Sequence, residues 1–460
     1  MLRLRRTTAF AAVSLLFFSP ALRGGEPRTI ALTGGTIVDV SSFGTSTHDI
    51  PESVVLIREG RIAASGPRSE VRIPRNADVV DVNGKYLLPG LIDGFAGLNS
   101  QAQANAYLYM GVTSIVGVED DRRGKLLLYA HPSPRIYPLD TAGIGEKEGR
   151  NVALPEAEAL ADLEATSRRG VKVLLVYYPV PPPLARSLVA RAKRLGMATI
   201  GELGETSYPA AIESGIQAFV HTSRYSLELA PAALHAEVAA DPFGAPKAKY
   251  YDLLSSLETD DPALSRYASV LAGARVGLIP TMSLGYLDLP GHENPWKEPV
   301  AAILGAGGIH LPADPVTGER ARDPRIAADY SPSVLSAALL RIEEQYCRAG
   351  AKYLAGSGTS AFGTMPGISL HTELALLHRI GLTSRQAIAA ATGNYRELFG
   401  WRDVGNLSAG SRADLLILDR NPAEDLANLQ AISGLYVNGE AIDRGGLLRP
   451  PRAVGGGPGR

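Results

Sequence analysis

The amino-acid sequence predicts an α/β protein: a (β/α)8 barrel of the TIM type joined to a small β-sandwich domain built from both chain ends. Three observations predict it. Between about residues 91 and 400, short apolar strands alternate with helical stretches rich in Ala, Leu, Arg and Glu, as parallel βα units do. Before and after that span the texture changes to β-branched runs divided by turn residues, and the two ends read as one sheet domain. A length of 460 residues with 45% hydrophobic content is enough for a large barrel and a smaller module.

Residues 1–25 read as a secretory signal peptide: Arg3, Arg5 and Arg6 precede an apolar run over 9–18, and Pro20, Ala21, Gly24 and Gly25 follow. The run is shorter than the roughly 20 residues needed to span a bilayer. The expectation is a periplasmic or secreted protein with no membrane association beyond that signal. Residues 28–88 open the sandwich, with strands over 36–40 and 53–57 and a tight hairpin at Arg58-Glu59-Gly60-Arg61-Ile62. Residues 89–402 form the barrel. Its strands are expected at 171–178, 198–200, 218–221, 276–280 and 352–355, with a helix over 184–192. Pro- and Gly-rich stretches at 179–183 and 288–308 are expected as long loops over the C-terminal strand ends, the face that carries function in such barrels. Residues 403–447 complete the sandwich with strands over 413–419 and 434–440.

Composition narrows the function classes. Lys and Arg number 46 against 47 Asp and Glu, so no basic field attracts nucleic acid or an anionic membrane. Cys347 is the only cysteine, which excludes an internal disulfide; it sits in the helix-like run Arg341-Ile342-Glu343-Glu344-Gln345-Tyr346-Cys347 and is expected as a buried, inert thiol. The sequence holds no Gly-x-Ser-x-Gly elbow with triad partners, no phosphate-binding Gly-x-x-x-x-Gly-Lys-Ser/Thr loop and no His-Glu-x-x-His helix.

The most informative run is Leu87-Leu88-Pro89-Gly90-Leu91-Ile92-Asp93-Gly94-Phe95-Ala96-Gly97. It is accompanied by Gly60-Arg61-Ile62-Ala63-Ala64-Ser65-Gly66, Gly111-Val112-Thr113-Ser114, Leu370-His371-Thr372-Glu373-Leu374, Gly381-Leu382-Thr383, Ala390-Ala391-Thr392-Gly393-Asn394 and Gly405-Asn406-Leu407-Ser408-Ala409-Gly410-Ser411-Arg412-Ala413-Asp414-Leu415. On these motifs the chain resembles the imidazolonepropionase/prolidase-like branch of the amidohydrolase superfamily, over nearly everything after the signal segment. The resemblance implies a barrel holding one or two divalent metals that activate water against an amide or related carbon–nitrogen bond. The metal would lower the pKa of its bound water and polarise the carbonyl.

Position by position, the resemblance points to a degenerate metal site. Its first strand should end in Asp-x-His-x-His, but Phe95 and Gly97 stand at the two imidazole positions and offer no lone pair. Leu175 stands where a fourth-strand lysine, often carbamylated, would bridge two metals. Lys172 lies three residues too early, and strand alternation turns it away from the barrel interior. Glu202 stands at or beside the fifth-strand histidine, His221 retains the sixth-strand imidazole, and Ser360 occupies the place of the eighth-strand aspartate that orients the attacking water. The possible remnant is therefore Glu202 with His221, which Glu119, Asp120, Asp121 and Glu205 would have to complete.

Other polar residues are expected in structural roles. His131, His235, His292, His310 and His378 carry no ligand spacing, and His371 is expected to make a hydrogen bond that anchors the last barrel loops. Ser357, Thr359 and Ser360 lack a neighbouring base and are expected to bond within their loop. Tyr177, Tyr178, Tyr225 and Tyr286 hint at an aromatic-lined pocket.

Two readings of function stand side by side. In the first the protein is a non-catalytic or strongly altered relative, a pseudoenzyme without a cofactor that binds a small molecule or a partner, as a homo-oligomer or beside a catalytically intact paralogue. In the second it hydrolyses carbon–nitrogen bonds in amides, cyclic amides or peptide-like substrates through a remodelled mononuclear site with a divalent metal such as zinc. Residue chemistry favours the first: a metal moves the pKa of water from about 15.7 to about 7, and none of the substituted side chains replaces that effect.

Overall fold

Eight strands run parallel in one sheet: Leu91–Ala96, Val112–Val118, Arg135–Thr141, Val173–Val176, Ala198–Gly201, Ala218–Val220, Gly277–Ile279 and Lys352–Tyr353. In this computed structural model, which describes residues 28–225, 227–241, 244–320 and 332–450, each of them pairs with its neighbours in chain order. The signal-peptide reading of residues 1–25 lies outside the described residues. Backbone bonds from Gly94 N to Ala355 O (2.8 Å) and from Gly358 N to Phe95 O (2.7 Å) join the first strand to the chain just past the eighth, so the sheet closes into a barrel.

Alternation along the strands sorts the two cores. Val173 and Leu175 join Phe95, Val116, Ile200, Val220 and Ile279 in the interior cluster, whereas Leu174 and Val176 pack outward against the helices. The helix Pro182–Arg194 shows how the outer layer forms. Leu184, Ala185, Leu188, Val189 and Ala192 make a buried stripe at helical spacing, prolines suit its first turn, and Arg191, Lys193 and Arg194 complement the dipole in its last.

The sandwich draws on both ends. One sheet orders the strands Arg61–Pro67, Ser53–Arg58, Thr29–Thr33 and Asp78–Asp81; the other orders Glu440–Ala441, Ile432–Val437, Leu415–Leu418, Tyr86–Pro89 and Thr36–Ile37. Leu32, Val55, Ile57, Leu87, Leu415 and Ile417 fill the space between them. Glu59 and Gly60, with φ of 50° and 74°, turn the expected hairpin with the left-handed pair of residues that matches strand twist.

Some expectations change. The chain at 288–308 is not an open loop: it folds into the short 3-10 turns Pro295–Lys297, Pro299–Ile303 and Ala306–Gly308, and Val300, Ala301 and Leu304 pack on Ala106 and Met110. Cys347, in the helix Pro332–Ala349, is half-buried rather than enclosed; burial raises its thiol pKa to about 11, which keeps it protonated. No helix among the described residues is long and apolar enough to cross a membrane.

Candidate functional site

At the C-terminal end of the first barrel strand, Phe95 is buried and its ring lies edge-on to His221 at 5.1 Å. The next inward-facing position is Gly97, and the space beside it is taken by Arg123. This arginine follows the second strand on a turn whose two ends meet at Asp120 and Gly124, and Asn99 Nδ2 ties that turn to the first strand by donating to Arg123 O at 2.8 Å. The guanidinium is fully buried over the Phe95 ring, 5.1 Å from its centroid. It donates to the carbonyls of Thr359 and Gly358, both at 3.1 Å, and pairs with Asp120.

The loop after the eighth strand closes this side. Ser357 donates its backbone N–H (2.8 Å) and hydroxyl (2.5 Å) to Asp93, whose carboxyl is raised by burial to about 6 against the pull of those bonds. Ser360 Oγ accepts from Gln103 Nε2 at 3.1 Å and its carbonyl accepts from His310 N–H at 3.1 Å. Ser360 therefore sits at the barrel mouth, engaged with a helix and a loop rather than presented to a substrate. Ser357 and Thr359 are likewise joined to each other, at 2.5 Å.

Across the mouth, Leu175 is 5% exposed in the interior cluster, while Lys172 is exposed on the outside, as strand alternation implied. Glu202 follows the fifth strand directly and is buried. Burial raises its carboxyl to about 7 although Arg122, Arg123 and Lys247 all favour its charged form. His221 follows the sixth strand with φ of 55°, and its Nδ1 lies 2.5 Å from Thr281 Oγ1. These two groups are buried at the ends of neighbouring strands.

The remaining acids do not converge on them as ligands. Asp120 caps its own turn through the N–H groups of Arg122 and Arg123, at 2.9 Å each; burial pushes its carboxyl up, but the two guanidiniums hold it below the usual range. Glu119 accepts from Leu126 N–H at 3.3 Å, Asp121 is exposed, and Glu205 lies in a separate cleft. That cleft, of about 550 Å³, opens between the hairpin Ile144–Lys147/Arg150–Ala153 and the ends of the fourth and fifth strands, lined by Arg150, Asn151, Tyr177, Tyr178, Glu205 and Asp241 among others. The expected aromatic pocket is thus present for Tyr177 and Tyr178. Tyr286 packs elsewhere, against His292, and the side chain of Tyr225 lies outside the described residues. Tyr177 connects cleft and mouth: burial and then the charge of Glu202 push its phenol up.

His371 Nε2 donates to Met110 O at 2.8 Å, tying its helix Ile368–Arg379 to the end of the first barrel helix, and burial lowers its pKa. His378 bonds Leu382 O, His292 bonds Leu289 O and Gly318 O, and His310 packs on Phe362.

Among the described residues no three His, Cys, Asp or Glu side chains are grouped so as to hold a metal ion. The side chains here do not fit the one or two divalent ions that the sequence resemblance implies. Phe95, Gly97 and Leu175 have no donor atom, Ser360 is bonded to Gln103, and a catalytic zinc takes three protein ligands where this mouth offers Glu202 and His221. Sequence reasoning missed Arg123 because the turn 119–123 was searched for acids. The signal that could have found it is Gly97, a bare position at a crowded strand end that something must fill.

No family profile matches the chain. It is 38% identical to adenine deaminase 1 of Desulfotalea psychrophila over 104 residues, 22% of this chain and 16% of that protein, and 37% identical to adenine deaminase 4 of Rhizobium meliloti over 105 residues, again 16% of the relative. The match thus spans only a small part of those curated relatives. Solved structures are similar over nearly the whole chain. The bottromycin amidohydrolase superposes with a TM-score of 0.63 at 20% identity over 92% of this chain and 88% of its own. A Xaa-Pro dipeptidase gives 0.57 at 15% identity (90% and 99%), and A. niger ochratoxinase 0.57 at 16% (91% and 96%). At these identities the likeness is one of fold, and the fold is that of amidohydrolases.

Proposed function

From an amidohydrolase fold whose mouth is built as described, we propose that this chain is an exported relative that no longer carries out metal-dependent hydrolysis and instead binds a small organic molecule, or a partner chain, at the C-terminal face of its barrel. One observation carries the reading: the positions that would frame a metal are filled by Phe95, Leu175, the covered Gly97 and the bonded Ser360. The ligand would enter the cleft beside Tyr177, where aromatic rings, Arg150, Asn151 and the carboxylates of Glu205 and Asp241 offer the mixture of apolar and polar groups typical of small-molecule sites. Export rests on the residues 1–25, and the partner would be a second copy or an intact paralogue.

Glu202 and His221 favour a second reading, in which they hold a single divalent metal and the chain cleaves a carbon–nitrogen bond, as the names of the amidohydrolase and dipeptidase neighbours suggest. Elemental analysis of protein purified without chelator separates the two. The binding reading expects no stoichiometric metal and no change on Glu202→Ala or His221→Ala. One zinc or similar ion per chain, lost in both variants, would replace it with the hydrolase reading.

A further inference from the structure

The barrel mouth holds a cation of its own. Arg123 is 2% exposed, yet it arises from a turn with Asp121 and Arg122 at the surface, so its side chain is directed inward onto the end of the first strand. There it meets the two positions from which the imidazoles are absent. A Cβ built on Gly97 would lie 2.9 Å from Arg123 Cβ and 3.3 Å from Arg123 Cδ, so any side chain at 97 collides with the arginine stem. The guanidinium in turn lies over the Phe95 ring, the other substituted position. Its donors reach the carbonyls of Gly358 and Thr359, beside Ser360, and the Asp120 carboxylate.

We infer that Arg123 is an internal replacement for a metal at the first-strand side of the mouth: it fills the space, supplies the positive charge, binds the backbone oxygens of the eighth-strand loop and excludes a divalent ion. Phe95, Gly97 and Arg123 form one coupled unit. A histidine at 97 and the Arg123 stem as it stands are mutually exclusive, and a phenyl ring at 95 is a face on which a guanidinium can rest, where a metal would need a ligand. Arg123 is a positioning residue in this account, holding the first strand to the eighth-strand loop. The inference goes beyond the proposed binding function and is separable from it. Glu202 and His221 could be found to hold an ion on the other side of the mouth, which would end the binding reading and leave the role of Arg123 standing.

The test compares full-length wild type, Phe95→His/Gly97→His and Phe95→His/Gly97→His/Arg123→Gly, the glycine removing the Arg123 Cβ that a side chain at 97 would meet, each dialysed against zinc chloride and assayed by elemental analysis and calorimetry. The expected result is at least tenfold tighter zinc binding by the triple variant than by the double, because removing the arginine frees the site for the two imidazoles. Equal zinc affinity in the double and triple variants would overturn the inference. Arg123→Ala alone provides a check that does not depend on the engineered histidines folding. Its melting temperature is expected to fall by about 5 °C and to recover in millimolar guanidinium chloride but not in sodium chloride of the same ionic strength. A wild-type melting temperature, or recovery in both salts alike, would show that no planar cation is required there and would equally overturn it.

Discussion

The two sides of the barrel mouth differ in what their buried groups bind. On the side of the first, second and eighth strands, the groups bind one another: Arg123 serves Gly358, Thr359 and Asp120, Ser357 serves Asp93, and Gln103 serves Ser360. On the side of the fourth to sixth strands, Leu175 has simply joined the hydrophobic interior, and Glu202 remains a buried carboxyl raised to about 7, next to a cleft. The first side has become structure. The second has kept the features that functional sites carry, a perturbed titratable group and a concave surface. Two halves of one barrel mouth can thus be built in opposite ways, according to whether a neighbouring side chain enters the space beside the strand ends.

The largest effect that would test this contrast is at Arg123. Arg123→Met keeps much of the stem but removes the guanidinium that donates to Asp120 and to the carbonyls of Gly358 and Thr359. Removing one partner of a buried charged network typically costs about 3–5 kcal/mol, read as a fall in the urea midpoint. A loss under about 1 kcal/mol would mean that this side is not held by the arginine. Gly97→Ala should follow, at about 1–3 kcal/mol, because the new methyl would also lie 3.2 Å from the Thr359 carbonyl. Combining Gly97→Ala with Arg123→Gly should cost less than the two separate effects added, since the contact with the Arg123 Cβ disappears along with the side chain.

The other side should respond to pH instead. Glu202 binds its proton more tightly in the folded chain, about 7 against an ordinary 4.5, so between those values the folded state holds a proton that the unfolded state has released. Its effect is absent below about pH 4.5, stability falls as pH rises through 7, and the loss is complete above that. Glu343 and Glu373, buried beneath the sixth- and seventh-strand loops and raised to about 7 and about 8, act in the same sense. Glu202→Gln should therefore flatten the decline of melting temperature between pH 5 and 8, by an amount equivalent to about 2 kcal/mol. An unchanged slope would show that Glu202 does not titrate in this range.

The parts of this arrangement that follow from local pattern were legible in the sequence. The hairpin at Glu59 and Gly60, the alternating fourth strand and the identities of Phe95, Gly97, Leu175 and Ser360 follow from spacing and chemistry along a few neighbouring residues. Arg123 was not legible, because its meaning lies in bonds to Thr359 and Gly358, 236 and 235 positions away, and a charged turn ordinarily reads as solvated. The covered chain at 288–308 escaped for a related reason. Its Pro and Gly content signals irregular backbone, but only the tertiary fold brings Val300 and Leu304 onto Ala106 and Met110.

The smallest effect on stability is expected at Tyr177, and it separates the two sides most directly. Its ring is half-buried between cleft and mouth, so Tyr177→Ala should cost only about 1 kcal/mol in apolar contact. If the cleft side is where a ligand sits, native mass spectrometry of freshly purified protein should show a bound small molecule in wild type that Tyr177→Ala loses and Arg123→Lys, with its charge retained, keeps. The pairing of variants matters because each controls for the other. Loss of the ligand in both would point to a general loosening of the mouth, whereas loss in Arg123→Lys alone would place binding on the side that is here assigned to structure and would reverse the division between the two halves.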